Sequence, residues 1–294
     1  MPLIGIPNVS EGRDAGRVRA LTDALSQGGA SVLDVHRDAV HGRSVFTMTA
    51  ERARLPVAVA SLARASSGID LTLQRGVHPR LGALDVCPIV PHEAGMEEAI
   101  ETAQLTGEAV ARDAGLPVYF YARNATRREA GDLAGLRRGG LEALIRRAEG
   151  GFLPDLGPRS IDPRRGVVCV GARDVLVAFN VWLQGELATA RAIAARIRGS
   201  AGGLPGVKAL GFEMGDGKSQ VSTNLTQPLE AGIDRTFEAV ARLARTDRAT
   251  VLATEIVGLV PSRFLPDPDG EAARLLLEPG RSLETVLGRT TGSS

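Results

Sequence analysis

The sequence predicts an α+β protein made of two β-α-β-β-α-β halves. Three observations carry this. Short β-branched runs and stretches of helical period follow one another in the same order twice, over residues 2–90 and again over 174–257. At 294 residues, 44% of them hydrophobic, the chain is long enough to bury a sizeable core in each half. Between the halves, residues 151–166 hold three prolines and three glycines, which exclude regular structure. A split β-α-β unit of this kind makes a ferredoxin-like α/β sandwich, an antiparallel sheet with helices on one face. The expected organisation is two such subdomains, residues 1–166 and 167–294, the first carrying an insertion. The pairing is architectural, and the halves share no visible sequence identity.

In order, residues 2–8 read as a short buried strand. Ser10 is placed to cap the helix that follows, and Glu11 and Asp14 suit its positive end. Val18, Leu21 and Leu25 mark one helical face, and Gly28-Gly29 stop it. Residues 31–35 and 44–49 are β-rich, with a polar loop expected over 36–42. A helix over 51–65 has Pro56 in its first turns. Residues 84–90 are a strand, 95–114 a helix and 117–121 a strand. Residues 127–150 carry Arg127, Arg128, Arg137, Arg138, Arg146 and Arg147 and read as exposed helix, a solvated face. In the second half, 167–170 and 175–183 are strands, 187–197 is a helix, and 207–214 and 220–225 are strands joined by Gly215-Asp216-Gly217. Ile233, Phe237, Val240 and Leu243 give the next helical face, 250–257 the last strand, and 266–294 a tail helix with a frayed end.

The formal net charge is +1, from 35 basic and 34 acidic residues, so global electrostatics favour neither nucleic acid nor anionic membrane. Aromatics are only 3%, too few for base-stacking surfaces. No apolar run approaches the ~20 residues of a membrane helix, and the proline-broken start does not read as a signal peptide. Cys87 and Cys169 sit in apolar runs and are expected buried and reduced, as in a cytoplasmic protein. Lys208 and Lys218 are the sole lysines, so a fixed cation in any site will be a guanidinium, suited to gripping carboxylates.

The stretch over 76–88 holds the residues best suited to chemistry. Pro79 forces His78 into extended backbone, and Gly76 and Gly82 let the chain turn on either side. Arg80, two residues on, lies on the same side if the segment is extended. Imidazole is the natural proton carrier near neutral pH. Read on these residues alone, His78 is either that carrier or a ring that satisfies a loop carbonyl. His36, His41, His78 and His92 all fall in the first third, near Asp34 and Asp38, which raises a metal reading. The H-x4-H spacing crosses a predicted loop and no H-E-x-x-H is present, so no metal site is expected.

The sequence H-P-R-x-G-A-L-D-V-C-P over 78–88 resembles the signature of the glutamate formimidoyltransferases, folate-dependent enzymes of histidine breakdown and one-carbon metabolism. Further blocks follow in the family's order: Pro7-Asn8-Val9-Ser10-Glu11-Gly12, the segment 34–44 with Asp38, His41 and Arg43, Gly171-Ala172-Arg173 with Ala178-Phe179-Asn180, Gln220 through Leu225, and Glu255 through Pro261. The resemblance implies two ferredoxin-like subdomains with a ligand cleft between them, and a stand-alone transferase without the cyclodeaminase of the animal enzymes. It implies transfer of a formimidoyl group between 5-formimidoyltetrahydrofolate and L-glutamate in a cytoplasmic homodimer. By motif position His78 matches the family's catalytic histidine. Asp38, His41, Arg43 and Arg80 are the expected substrate-binding residues. Tetrahydrofolate, as co-substrate, is expected on Gly157, Pro158, Arg159, Ser160, Ile161, Asp162, Pro163, Arg164, Arg165 and Gly166.

The chain also departs from the family's pattern. Arg165 stands where tryptophan is usual, Val77 replaces a glutamate, Gly42 an asparagine, and Trp182 an asparagine. Two other readings therefore stay open: formyl transfer from 5-formyltetrahydrofolate, and a folate-binding protein without catalysis. Arg43 also reads as a surface or structural ion-pair partner, Arg80 without the resemblance more readily so than as a substrate cation, and Asp38 equally as a turn-former. Asn180, Gln220 and Asn224, polar on apolar strands, point either to a ligand or to a sheet-bridging network.

Overall fold

The computed structural model describes residues 3–279 and 282–291. The start of the expected first strand at Pro2 and the expected frayed end over 292–294 lie outside the described residues. The chain divides into two compact units, Met1–Asp174 and Val175–Ser294. Both mix sheet and helix, as an α+β class requires.

The first unit runs β1 (Leu3–Gly5), β2 (Asn8–Val9), α1 (Ala15–Gln27), β3 (Ser31–Asp38), β4 (Arg43–Ala50), α2 (Leu55–Ala65), β5 (Leu84–Val90), α3 (Met96–Ala114), β6 (Val118–Phe120), α4 (Leu133–Arg137), α5 (Gly140–Glu149) and β7 (Val168–Ala172). β1 and β2 are two pieces of one line, interrupted at Ile6-Pro7, and both lie between β4 and β5. β3 pairs with β4 on one side, and β7 then β6 extend the sheet on the other in parallel fashion. The strand at 168–172, read from sequence as opening the second half, thus pairs inside the first sheet. Its run of Val, Cys and Val is fully buried, as a strand flanked on both sides by parallel neighbours demands.

Three local expectations need correction. α1 is capped by Asp14, whose carboxylate accepts the Arg17 N–H, whereas the Ser10 hydroxyl donates to Gly82 O at 2.7 Å. β3 continues through residue 38, so the loop expected over 36–42 is a tight hairpin turn. Asp38 shapes it by accepting the Val40 and His41 N–H groups, both at 2.8 Å. The arginine-rich segment is two short helices broken at Gly139 and Gly140, which have φ of 77° and 75°. Its Leu136 and Leu144 are fully buried against Tyr119 and Tyr121, so charge on one face concealed a small core on the other.

The second unit runs β8 (Val177–Gln184), α6 (Leu187–Ile197), β9 (Val207–Gly215), β10 (Lys218–Leu225), α7 (Ile233–Thr246), β11 (Thr250–Ile256), α8 (Glu271–Arg274) and α9 (Leu283–Thr291). Its sheet is antiparallel in the order β11-β8-β10-β9. In β8, Val177, Phe179, Val181 and Leu183 are fully buried with Ile193 and Val240 from the helices. Asp216 and Gly217, at φ 51° and 70°, make the two-residue turn that hairpins of this twist favour. The tail holds two short helices rather than one. Asn180 sits opposite Glu255 and donates to its carboxylate at 2.8 Å, and Gln220 donates to the same oxygen at 3.3 Å. Two of the three polar strand residues therefore bridge three strands through one carboxylate. No helix among the described residues is long and apolar enough to cross a membrane.

Candidate active site

The site is assembled at one end of the first sheet, from β2, the β3–β4 turn, β4 and the segment entering β5. Val9, Ser10, His41, Gly42, Arg43, His78, Arg80 and Asp85 line a small cavity of about 10 Å³. That is below the range of whole small-molecule pockets, about 300–1,000 Å³.

Why the chain folds here follows from its turns. Gly42 has φ 62°, a left-handed conformation that glycine and asparagine tolerate best. This accounts for glycine at the position. Ser10 ties the entry to β5 with its backbone N–H on Ala83 O at 2.8 Å. Asp85, 3% exposed, turns back to accept the Leu81 N–H at 2.7 Å. The segment that carries His78 and Arg80 is thereby held at its C-terminal end by these bonds and the Ser10 hydroxyl, together with the Val167 N–H on Leu81 O at 2.9 Å.

His78 is half-buried, and its Nδ1 lies 2.8 Å from Pro79 O. That contact favours the tautomer with the proton on Nδ1 donating to the carbonyl. Arg43 Nη1 lies 2.7 Å from Nε2, as well as from Nδ1, and donates to the lone pair on Nε2 in that tautomer. The other end of the Arg43 guanidinium donates to Asn8 Oδ1, and the Asn8 amide donates to Ile6 O at 2.7 Å. Burial holds His78 well below the ordinary imidazole range, and the cations of Arg43 and Arg137 push it further. The imidazole is neutral at physiological pH. Burial, with the repulsion of Arg137, lowers Arg43 to about 9, which leaves it a cation at pH 7.

The other expected residues fall as follows. His41 is buried, its ring 5.8 Å from that of His78, centroid to centroid. Arg80 lines the cavity from the same side as His78 and donates from Nη2 to His41 O at 3.1 Å. Asp38 serves the hairpin turn, with its second oxygen 3.8 Å from His41 Nε2. His36 lies on β3 and His92 beyond β5, and neither lines the cavity. The segment 157–166 is an exposed loop whose closing residues pack on the His78 segment. Gly166 bridges Gly82, Arg165 O accepts the Ala83 N–H at 2.9 Å, and Arg164 pairs with Asp70 at 2.9 Å. Arg165 donates from Nη2 to Ala114 O at 3.0 Å, at the C-terminus of α3, where a cation meets the helix's unpaired carbonyls. Val77 is 41% exposed. The two thiols are buried and raised, Cys87 to about 12, which removes them from nucleophilic chemistry.

Sequence reasoning missed two contributors. Asn8 stood in a motif without a role, and nothing in its spacing showed that it would hold Arg43. Arg137 was placed on a solvated helix, yet it donates to Asp85 on the cavity wall. The buried partner Leu136 beside it was the available signal. Arg43 Nε, Arg80 Nη1 and Arg137 Nε are all buried without a hydrogen-bond partner among the described residues. Buried polar groups are nearly always satisfied. Of these, Arg43 and Arg80 line the cavity, and Arg137 pairs with Asp85 on its wall.

Residues 3–173 match the formiminotransferase domain, N-terminal subdomain, and residues 178–269 match the formiminotransferase domain. The chain is 39% identical over 268 residues to a glutamate formimidoyltransferase of Streptococcus pyogenes, covering 89% of this chain and 90% of that one. A glutamate formimidoyltransferase of Thermoplasma acidophilum is 38% identical, with 89% of each chain covered. The formimidoyltransferase-cyclodeaminase of Sus scrofa is 34% identical over 89% of this chain, which spans 50% of that protein.

Proposed function

The chain belongs to the formiminotransferase family, and from that premise we infer that it is a glutamate formimidoyltransferase, with His78 as its general acid and base. It moves a formimidoyl group between 5-formimidoyltetrahydrofolate and L-glutamate. The observation that supports this most strongly is a neutral imidazole set beside guanidinium groups with unsatisfied N–H donors. The two β-α-β-β-α-β units support reading each as a ferredoxin-like sandwich.

The reaction asks for what the cavity offers. Glutamate arrives with carboxylates, which Arg43 and Arg80 are suited to bind. In the described geometry Arg43 covers the His78 lone pair. A carboxylate drawn to Arg43 competes for the guanidinium and frees Nε2. The neutral imidazole then takes a proton as the amine attacks the amidine carbon, forming a new C–N bond and a tetrahedral adduct. The same proton passes to the folate nitrogen as the old C–N bond breaks, so that nitrogen leaves as a neutral amine. One histidine serving both transfers contributes ~10²–10⁴-fold. His41 and the Pro79 carbonyl keep the ring oriented. We assign the folate to the loop 157–166, because its last residues are tied to the His78 segment. With Arg165 engaged at α3, its guanidinium is an anchor of that loop.

Assay of the purified protein with glutamate and either 5-formimidoyl- or 5-formyltetrahydrofolate tests the reading. Turnover of the formimidoyl donor with formation of N-formimidoyl-L-glutamate is expected. Turnover of the formyl donor alone reassigns the substrate, and binding of folate without turnover of either donor removes catalysis.

A further inference from the structure

We propose that Arg137 is a positioning residue of the transfer reaction: through Asp85 it fixes the backbone that presents His78, and its charge helps to define the field around that imidazole. The proposal rests on the reading of His78 as the proton carrier.

The geometry runs in one line. Arg137, the last residue of α4, donates from Nη2 to Asp85 Oδ2. The opposite oxygen of Asp85 accepts the Leu81 N–H, three residues beyond His78. Side-chain exposure is 17% for Arg137 and 4% for Asp85, so the pair is shielded from water and little screened. A buried carboxylate losing its partner is strongly unfavourable, and it would relax by releasing Leu81 or by turning toward another cation. Both responses move the His78 segment. His78 also faces Arg43 from β4, His41 from the β3–β4 turn, and Arg80 and Asp85 from its own segment and β5. Arg137 reaches this group from α4. An α4 whose only task was solubility would leave its arginine in water. Here Leu136 anchors the helix and Arg137 is turned inward.

The test compares wild type with Arg137→Gln, Arg137→Lys and Asp85→Asn, measuring kcat/KM against pH together with thermal stability. Arg137→Gln is expected to lower kcat at least 10-fold with KM for glutamate changed less than threefold. It is also expected to move the acid limb of the profile up by about one pH unit, because a cation is lost and a carboxylate is left near the ring. Arg137→Lys keeps the charge and loses the planar fork. It should hold the acid limb at the wild-type position while recovering only part of kcat. Asp85→Asn, combined with Arg137→Gln, should cost less than the sum of the single changes. A purely structural role predicts lowered stability with the acid limb unmoved in both Arg137 variants, and that result overturns the proposal. Should Arg137→Gln not fold, Arg137→Lys still decides: full wild-type kcat there also overturns it. If wild type itself does not turn over, the assignment of function fails instead.

Discussion

At the scale of single residues, the account turns on one protonation state. Burial and two guanidinium groups hold His78 neutral where a free imidazole titrates near 6.5. A base of this kind stays available as the pH falls below that value. The acid limb of kcat/KM is therefore expected below about 6.5, read from initial rates between pH 4.5 and 8. Arg43→Lys keeps a cation and loses the fork that spans Asn8 and His78. We expect KM for glutamate to rise about tenfold, the loss of one charge-assisted contact. His78, Arg43 and Arg80 were legible in the sequence because a proline fixed the backbone beside them and a motif placed them. Asn8 and Arg137 were not, since their roles depend on neighbours 35 and 52 positions away in the chain.

At the scale of elements, the site depends on a segment without regular structure being held as rigidly as a strand. Gly82 is where that rigidity is built. A Cβ there would lie 2.0 Å from Val167 O and 2.6 Å from Leu84 O, both backbone atoms that cannot step aside. Gly82→Ala should therefore cost about 1–3 kcal/mol. In a domain of this size that is a fall in Tm of roughly 3–10 °C by calorimetry, accompanied by loss of activity. The helices α1, α6 and α7 followed from their apolar faces, α2 from Pro56 in its first turns, α3 from its run of Ala and Glu, and β5 from its unbroken run. The hairpin of β3 and β4 was harder. Residues 36–38 are polar because they line the end of a sheet near the site, and polarity read in isolation suggests a loop. Ser10 misled for a related reason: a serine ahead of a helix is a good cap, but this one is used to clasp the chain entering β5.

At the scale of the whole molecule, the two units carry separate cores, the first with a second small one beside α4 and α5, and the repeat of strand order was visible before any coordinates. The place of β7 was not, because a short apolar strand carries no mark of which sheet it will join. The neutral His78 also links the fold to pH. Its folded pKa is depressed, so the unfolded chain binds the extra proton. The stability that accompanies the neutral ring is complete above about 6.5 and is lost as the pH drops below it. Tm should fall between pH 7 and 5, and the fall should be smaller in His78→Gln, which has nothing to protonate at that position.

The most direct test of the central claim is turnover by His78→Gln, with folate and glutamate binding measured separately. The account predicts a loss of ~10²–10⁴-fold in kcat with both ligands still bound near wild-type affinity. A variant that turned over within threefold of wild type would show that the proton travels by another route.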